Sequence, residues 1–158
     1  MKNATLFNGP SEDKPIFDAS KLVIHTDGGA RGNPGPAAIG VILGNRKYGE
    51  YIGETTNNVA EYKAVIFALK KANQILSKKK TRETELVVYL DSELVVLQLN
   101  GSYKIKEESL QKLFMEAWNL RLDFKKVTFH HIPREKNKGA DKLVNEALDG
   151  STRAHHQS

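Results

Sequence analysis

The sequence contains no cysteine. Disulfide frameworks and thiolate metal sites are therefore excluded, and a reducing, cytoplasmic setting is expected. Long hydrophobic runs are also missing. No apolar stretch approaches the roughly 20 residues that a membrane-spanning helix needs, so no membrane partner is expected. Residues 1–20 lack the apolar core of a secretory signal and carry Glu12, Asp13 and Asp18. With Pro10 and Pro15 and no sustained period, they read as a loose N-terminal arm. Internal repeats and low-complexity blocks are absent.

What remains is a chain of 158 residues, 39% apolar and 27% charged. That composition suits one soluble domain with a real core. Acidic residues are outnumbered: the net charge is +5 and the pI about 9.3. A basic surface favours polyanionic partners through phosphate contacts and counterion release.

The chain is organised around residues 22–36, LVIHTDGGARGNPGP. A β-branched run reads as a buried strand over Leu22 to Thr26, with Asp27 expected at its end. The glycines and prolines that follow demand a sharp turn with exposed backbone. They lack the Lys-Ser/Thr of a phosphate-binding loop and lead into no helical pattern. Apolar residues resume at Ile39 to Leu43, so the turn is expected at the tip of a hairpin.

A third strand is expected over Lys47 to Glu54, completing an antiparallel meander. Helical spacing then runs from Ala60 through Ala64, Phe67 and Ala68 to Ile75, ending in Lys78-Lys79-Lys80, whose charge suits a helix C-terminus. Leu86 to Leu90 is the most continuous apolar strand and is expected to be covered on both faces. Helices follow from about Ser92 to Leu99 and from about Glu107 to Phe124, where Trp118 joins the apolar stripe. Lys126 to Ile132 reads as a last strand, Pro133 to Lys138 as a loop and Ala140 to Leu148 as a closing helix. Gly150 to Ser158 reads as a polar tail. The order predicts an α/β fold: a mixed five-stranded sheet, three antiparallel strands then parallel additions, flanked by helices.

Four acids fall at element ends. Asp27 and Asp91 end apolar strands, the edge where ligands sit in open α/β sheets. Glu61 and Asp141 lie on first turns of helices. Each has a structural explanation: Asn58 and Glu61 have capping-box spacing, Asp91 can cap the helix behind it, and Asp141 suits a helix N-terminus. Together they point to hard cations, because clustered carboxylates repel and lose hydration unless neutralised. Oxygen donors without Cys or a convincing His set indicate Mg²⁺ or Mn²⁺. A pair of such ions about 3.5–4 Å apart is a known device for cleaving phosphodiesters in line.

The ordered set of Thr26-Asp27-Gly28-Gly29, Gly32-Asn33-Pro34-Gly35-Pro36, Thr56-Asn57-Asn58 with Ala60-Glu61, Leu90-Asp91-Ser92, and Asn137 with Ala140-Asp141 and Leu143 resembles type 1 ribonuclease H across residues 21–149. The resemblance implies a ribonuclease H catalytic domain there, flanked by the arm and the tail. It implies Asp27, Glu61, Asp91 and Asp141 as the catalytic and metal-holding set, with two Mg²⁺ or Mn²⁺ ions when substrate is bound. It implies hydrolysis of the RNA strand of RNA–DNA hybrids to 5′-phosphate and 3′-hydroxyl ends by a monomer, with duplex RNA as a further candidate. Asn33, Thr56, Asn57, Asn58, Ser92, Arg134 and Asn137 are the implied substrate contacts. Amides suit the 2′-hydroxyl, which both donates and accepts hydrogen bonds.

Three departures from the family pattern stand out. Glu93 occupies a position commonly Gln. The stretch Asn100 to Lys104 leaves no room for the extra basic helix of many bacterial members. The loop before Asp141 carries Arg134 and Glu135 where a mobile His is usual, resembling a subset with a Pro-Arg-Glu-x-Asn loop. His130 and His131 read as structural. Two other function classes compete: a non-catalytic nucleic-acid-binding module on the same fold, and a nuclease acting on duplex RNA or branched DNA. The crowded acids argue against the first, and the Asn57-Asn58 pair against a junction nuclease.

Overall fold

The computed structural model describes residues 20–157, with side chains described as far as Ser151. The expected loose arm therefore lies outside the described residues, save Ser20. Three strands come first: β1 (Lys21–Ala30), β2 (Gly35–Leu43) and β3 (Arg46–Thr55). Then come α1 (Asn57–Ile75), a short α2 (Lys78–Glu83), β4 (Glu85–Leu90), α3 (Glu93–Leu99) and α4 (Glu108–Arg121). The last elements are β5 (Lys126–His131), a 3-10 turn (Arg134–Lys136) and α5 (Lys138–Gln157). The sheet order is β3-β2-β1-β4-β5. Pairing is antiparallel in the β1–β2 and β2–β3 hairpins and parallel from β1 to β4 and β4 to β5. The mixed five-stranded sheet expected from the sequence is thus the one observed.

The main core lies between the sheet and α1. Leu22, Ile24, Val88 and Leu90 are fully buried against Tyr62, Val65 and Leu69. Tyr62 donates its hydroxyl to Gln98 Oε1 at 2.8 Å, which satisfies a polar group at the centre of that core. A smaller cluster of Ala38, Val144 and Leu148 seats α5 on the opposite face. Among the described residues no helix is long and apolar enough to cross a membrane.

Several local expectations are corrected. β1 does not stop before Asp27; it continues to Ala30, because β2 pairs with it as far as Ala30↔Ala37. Only the parallel partner ends early, at His25↔Tyr89. The Lys78-Lys79-Lys80 run does not end the long helix. Backbone at Leu76 and Ser77 is extended, and Ser77 caps a new helix by accepting from Lys80 N at 3.2 Å. The lysines therefore open α2, so they do not complement the C-terminus of α1. β4 is not covered on both faces throughout: Tyr89 is half-buried, in a row with His25 and His130 at 5.2 and 5.5 Å between ring centroids. Trp118 is 38% exposed, with the Arg121 guanidinium 3.5 Å over its ring. Helix α5 continues through most of the expected polar tail.

Candidate active site

The β1–β4 register places two acids together. Lys21 pairs with Glu85 and His25 with Tyr89; the same offset carries Asp27 onto Asp91, just beyond the last paired residues. Side chains two apart on a strand share a face, so both carboxylates leave the sheet on the same side. Asp27 is 5% exposed and Asp91 half-buried.

Two glycines then admit the helices that carry the other acids. A Cβ at Gly28 would collide with the Ala60 carbonyl of α1. Without one, Gly28 N donates to Glu61 Oε1 at 3.2 Å. On the other face, Gly40 pairs with Asp27 across the β1–β2 ladder, and a Cβ there would meet the Ala140 carbonyl of α5. That close approach puts Asp141 beside Asp27, near enough to raise the Asp27 pKa. Carboxylate oxygens of Asp27, Glu61 and Asp91 lie within 4.8 Å of one another.

Electrostatics register the crowding. Burial, then the charges of Asp91 and Asp141, raise Asp27 from an ordinary 3.8 to about 8. Glu61 is also pushed well above the usual carboxylate range, first by burial and then by Asp27 and Asp91. The Gly28 N–H and the Arg134 guanidinium oppose that shift. Acids so arranged hold protons or a cation. Their all-oxygen donor set matches a hard divalent ion.

The expected contact residues divide into two groups. Asn57 and Asn58 line the acids' cleft, of about 350 Å³, together with Ser92 and Arg134. Asn33 accepts from Asn57 N at 2.9 Å, and Asn57 Oδ1 accepts from Ala30 N at 2.9 Å. The two bonds pin the β1–β2 turn to the start of α1 and leave the side-chain NH₂ groups as donors. Thr56, not an Asn58–Glu61 box, caps α1 by accepting from Val59 N at 3.3 Å. Ser92, not Asp91, caps α3 in the same way. Arg134 and Glu135 are exposed on the 3-10 turn, and Glu93 is exposed on α3.

Asn137 differs from expectation. It is 1% exposed, so its side chain is buried beneath the cleft surface. Its Nδ2 donates to the Thr26 carbonyl at 2.9 Å and to Asp91 Oδ2 at 3.0 Å. The side chain ties the loop before α5 to β1 and to one acid. Sequence reasoning also missed Arg31 and Asn145, which line the same cleft. A larger cavity, about 730 Å³, lies beside Lys21, Val23 and His25. Volume does not identify the site here, because the clustered acids line the smaller cleft.

Comparisons with known proteins agree with this geometry. A family model described as reverse transcriptase-like matches residues 25–147. The bifunctional protein Rv2228c of Mycobacterium tuberculosis is 38% identical over 141 residues, covering 85% of this chain. The chain spans only 37% of that relative's length. Ribonuclease H of Erythrobacter litoralis is 33% identical over 151 residues, covering 82% of this chain and 96% of that protein. The crystal structure of LC11-RNase H1 in complex with an RNA/DNA hybrid superposes with a TM-score of 0.78 at 48% identity. It covers 83% of this chain and 99% of that one.

Proposed function

The chain belongs to the ribonuclease H family, and from that premise we propose that it is an endoribonuclease hydrolysing the RNA strand of RNA–DNA hybrids. The products are 5′-phosphate and 3′-hydroxyl ends. The observation that carries this reading is that carboxylate oxygens of Asp27, Glu61 and Asp91 lie within 4.8 Å of one another, with Asp141 beside Asp27, in a protein of net charge +5. A module that only bound nucleic acid would gain nothing from crowding acids where phosphates must approach.

Asp27, Glu61, Asp91 and Asp141 would hold two divalent ions, Mg²⁺ or Mn²⁺. Such ions would supply positive charge to activate water and to stabilise the leaving 3′ oxygen. The protein's own groups do the rest. Gly28 N–H and Asn137 Nδ2 fix the orientation of Glu61 and Asp91 before substrate arrives. Asn33, Asn57 and Asn58 present amides to the RNA strand, where a 2′-hydroxyl accepts and donates. Thr56 and Ser92 flank them at helix starts. Arg134 holds a phosphate oxygen in a two-pronged grip.

The catalytic unit is residues 21–149, acting as a cytoplasmic monomer. It falls in the subset with the Pro-Arg-Glu-x-Asn loop and no basic protrusion; Asn100 to Glu107 passes from α3 to α4 without a helix of its own.

Incubating labelled hybrid, duplex RNA and duplex DNA with Mg²⁺ or Mn²⁺ tests the reading. Cleavage of the hybrid's RNA strand is expected, with duplex DNA untouched. An intact hybrid, or a cut DNA duplex, overturns it. Hybrid affinity is expected to fall steeply between low and physiological salt.

A further inference from the structure

We propose that Arg31 is a phosphate-binding residue of the cleft, held ready by α5 and released to the nucleic acid. The proposal rests on the hybrid-cleaving reading. Arg31 follows the last residue of β1 and lines the cleft with the acids; among the described residues the other cation lining it is Arg134. Its backbone is fixed, because Arg31 N donates to the Pro36 carbonyl at 2.8 Å. The preceding Ala30 N donates to Asn57, which also binds Asn33. The guanidinium therefore springs from a pinned turn, beside the asparagines expected to read the RNA strand.

Two α5 residues one turn apart hold that guanidinium. Nη1 lies 2.8 Å from Asp149 Oδ1, and Nη2 donates to Asn145 Oδ1 at 3.2 Å. Asn145 is itself anchored, its Nδ2 donating to the Asp141 carbonyl at 3.1 Å. The Arg31 and Asp149 side chains are 46% and 52% exposed. An ion pair this open to water adds little to stability, and a competing anion displaces it readily. A phosphodiester presents two oxygens that match the guanidinium fork as a carboxylate does. Asp149 occupies Arg31 when the cleft is free, and a substrate phosphate takes its place. Asn145 keeps the guanidinium aimed during the exchange.

The alternative is a staple that merely fastens the β1–β2 turn to α5. Asp149 separates the two, since it competes with phosphate under one reading and cooperates with Arg31 under the other. Binding of a fluorescent RNA–DNA hybrid is measured by anisotropy in EDTA, across a salt series, for the parent, Arg31→Ala, Arg31→Lys and Asp149→Asn. Arg31→Ala is expected to weaken binding about fivefold or more at low salt and to reduce the salt slope by about one. Arg31→Lys keeps the slope. Asp149→Asn tightens binding severalfold, and loses most of that gain when combined with Arg31→Ala. Melting curves report folding of each variant. If the parent binds hybrid and Arg31→Ala binds equally well with the same slope, the proposal is overturned. The same follows if Asp149→Asn weakens binding as Arg31→Ala does. A parent that binds no hybrid overturns the functional reading and this proposal together.

Discussion

Gly40 stands directly across the β1–β2 ladder from Asp27, and its missing side chain is the space that the Ala140 carbonyl fills. One residue further along α5 is Asp141. The distance between two acids is thus set by an absent methyl group on a strand that carries neither. Gly40→Ala would force α5 outward, against Leu143 Cβ at 3.0 Å and Val144 N at 3.1 Å. Overpacking of this kind costs about 1–3 kcal/mol. Cleavage is expected to fall more than tenfold, with a lower melting temperature. Gly29→Ala meets only Val144 Cγ1 at 3.8 Å and is the tolerated control.

Asn137→Ala separates positioning from substrate contact. The change strips a hydrogen bond from the buried Thr26 carbonyl and from Asp91, at a cost of about 1–3 kcal/mol. Turnover is expected to fall with KM for hybrid nearly unchanged, because the side chain never reaches the surface. A rise in KM at constant kcat would place Asn137 on the substrate instead.

Asp27→Asn and Asp91→Asn are expected to abolish cleavage while leaving hybrid binding measurable. Residual activity above about a tenth of the parent's, little more than 1 kcal/mol of barrier, would remove these acids from the chemistry. For Asp27→Asn, stability without metal near neutral pH is expected to rise, since a neutral amide replaces a buried carboxyl that must otherwise take up a proton on folding.

The raised carboxylates fix the sign of a pH effect. Asp27 keeps its proton to about 8 in the fold but to only about 3.8 in the unfolded chain. Between those values the folded state binds more protons, so this contribution to stability is complete below the lower value and declines as pH rises through the upper one. In EDTA, the parent's melting temperature relative to that of Asp27→Asn is expected to drop from pH 5 to pH 8. Mg²⁺ should reduce the drop by replacing the proton. An apoprotein whose margin over Asp27→Asn grows with pH would contradict the arrangement.

Arg134→Ala is expected to lower turnover severalfold without altering metal dependence, because a guanidinium positions phosphate but gives up no proton near neutral pH. Steady-state rates at saturating metal and hybrid check this. Parent rates for both Arg134→Ala and Glu135→Ala would leave the loop without a catalytic part.

The order of the five strands and the mixed sheet were legible in the sequence because they rest on local signals, period and turn residues, and the four acids stood out by falling near element ends. What escaped it depends on partners far along the chain. Gly28-Gly29 reads as a turn until β2 is seen pairing with it. The break between α1 and α2 hides at Leu76-Ser77, where no Gly or Pro interrupts the pattern. Asn58 and Glu61 have the spacing of a capping box, yet Glu61 bonds to Gly28 of β1, and Thr56 does the capping. Asn137 looks like a loop polar residue, and only tertiary packing buries it. Arg31 and Asn145 lie 114 residues apart and carry no shared signature.

The acids enter from β1, α1, the residue after β4, and α5, so they arrive in widely separated portions of the chain as it is made. A nascent chain lacking α5 has no Asp141, and without the Asn137 loop its Asp91 lacks the amide donor that orients it. The four acids therefore come together only once α5 is docked over Gly40, with Asp141 beside Asp27.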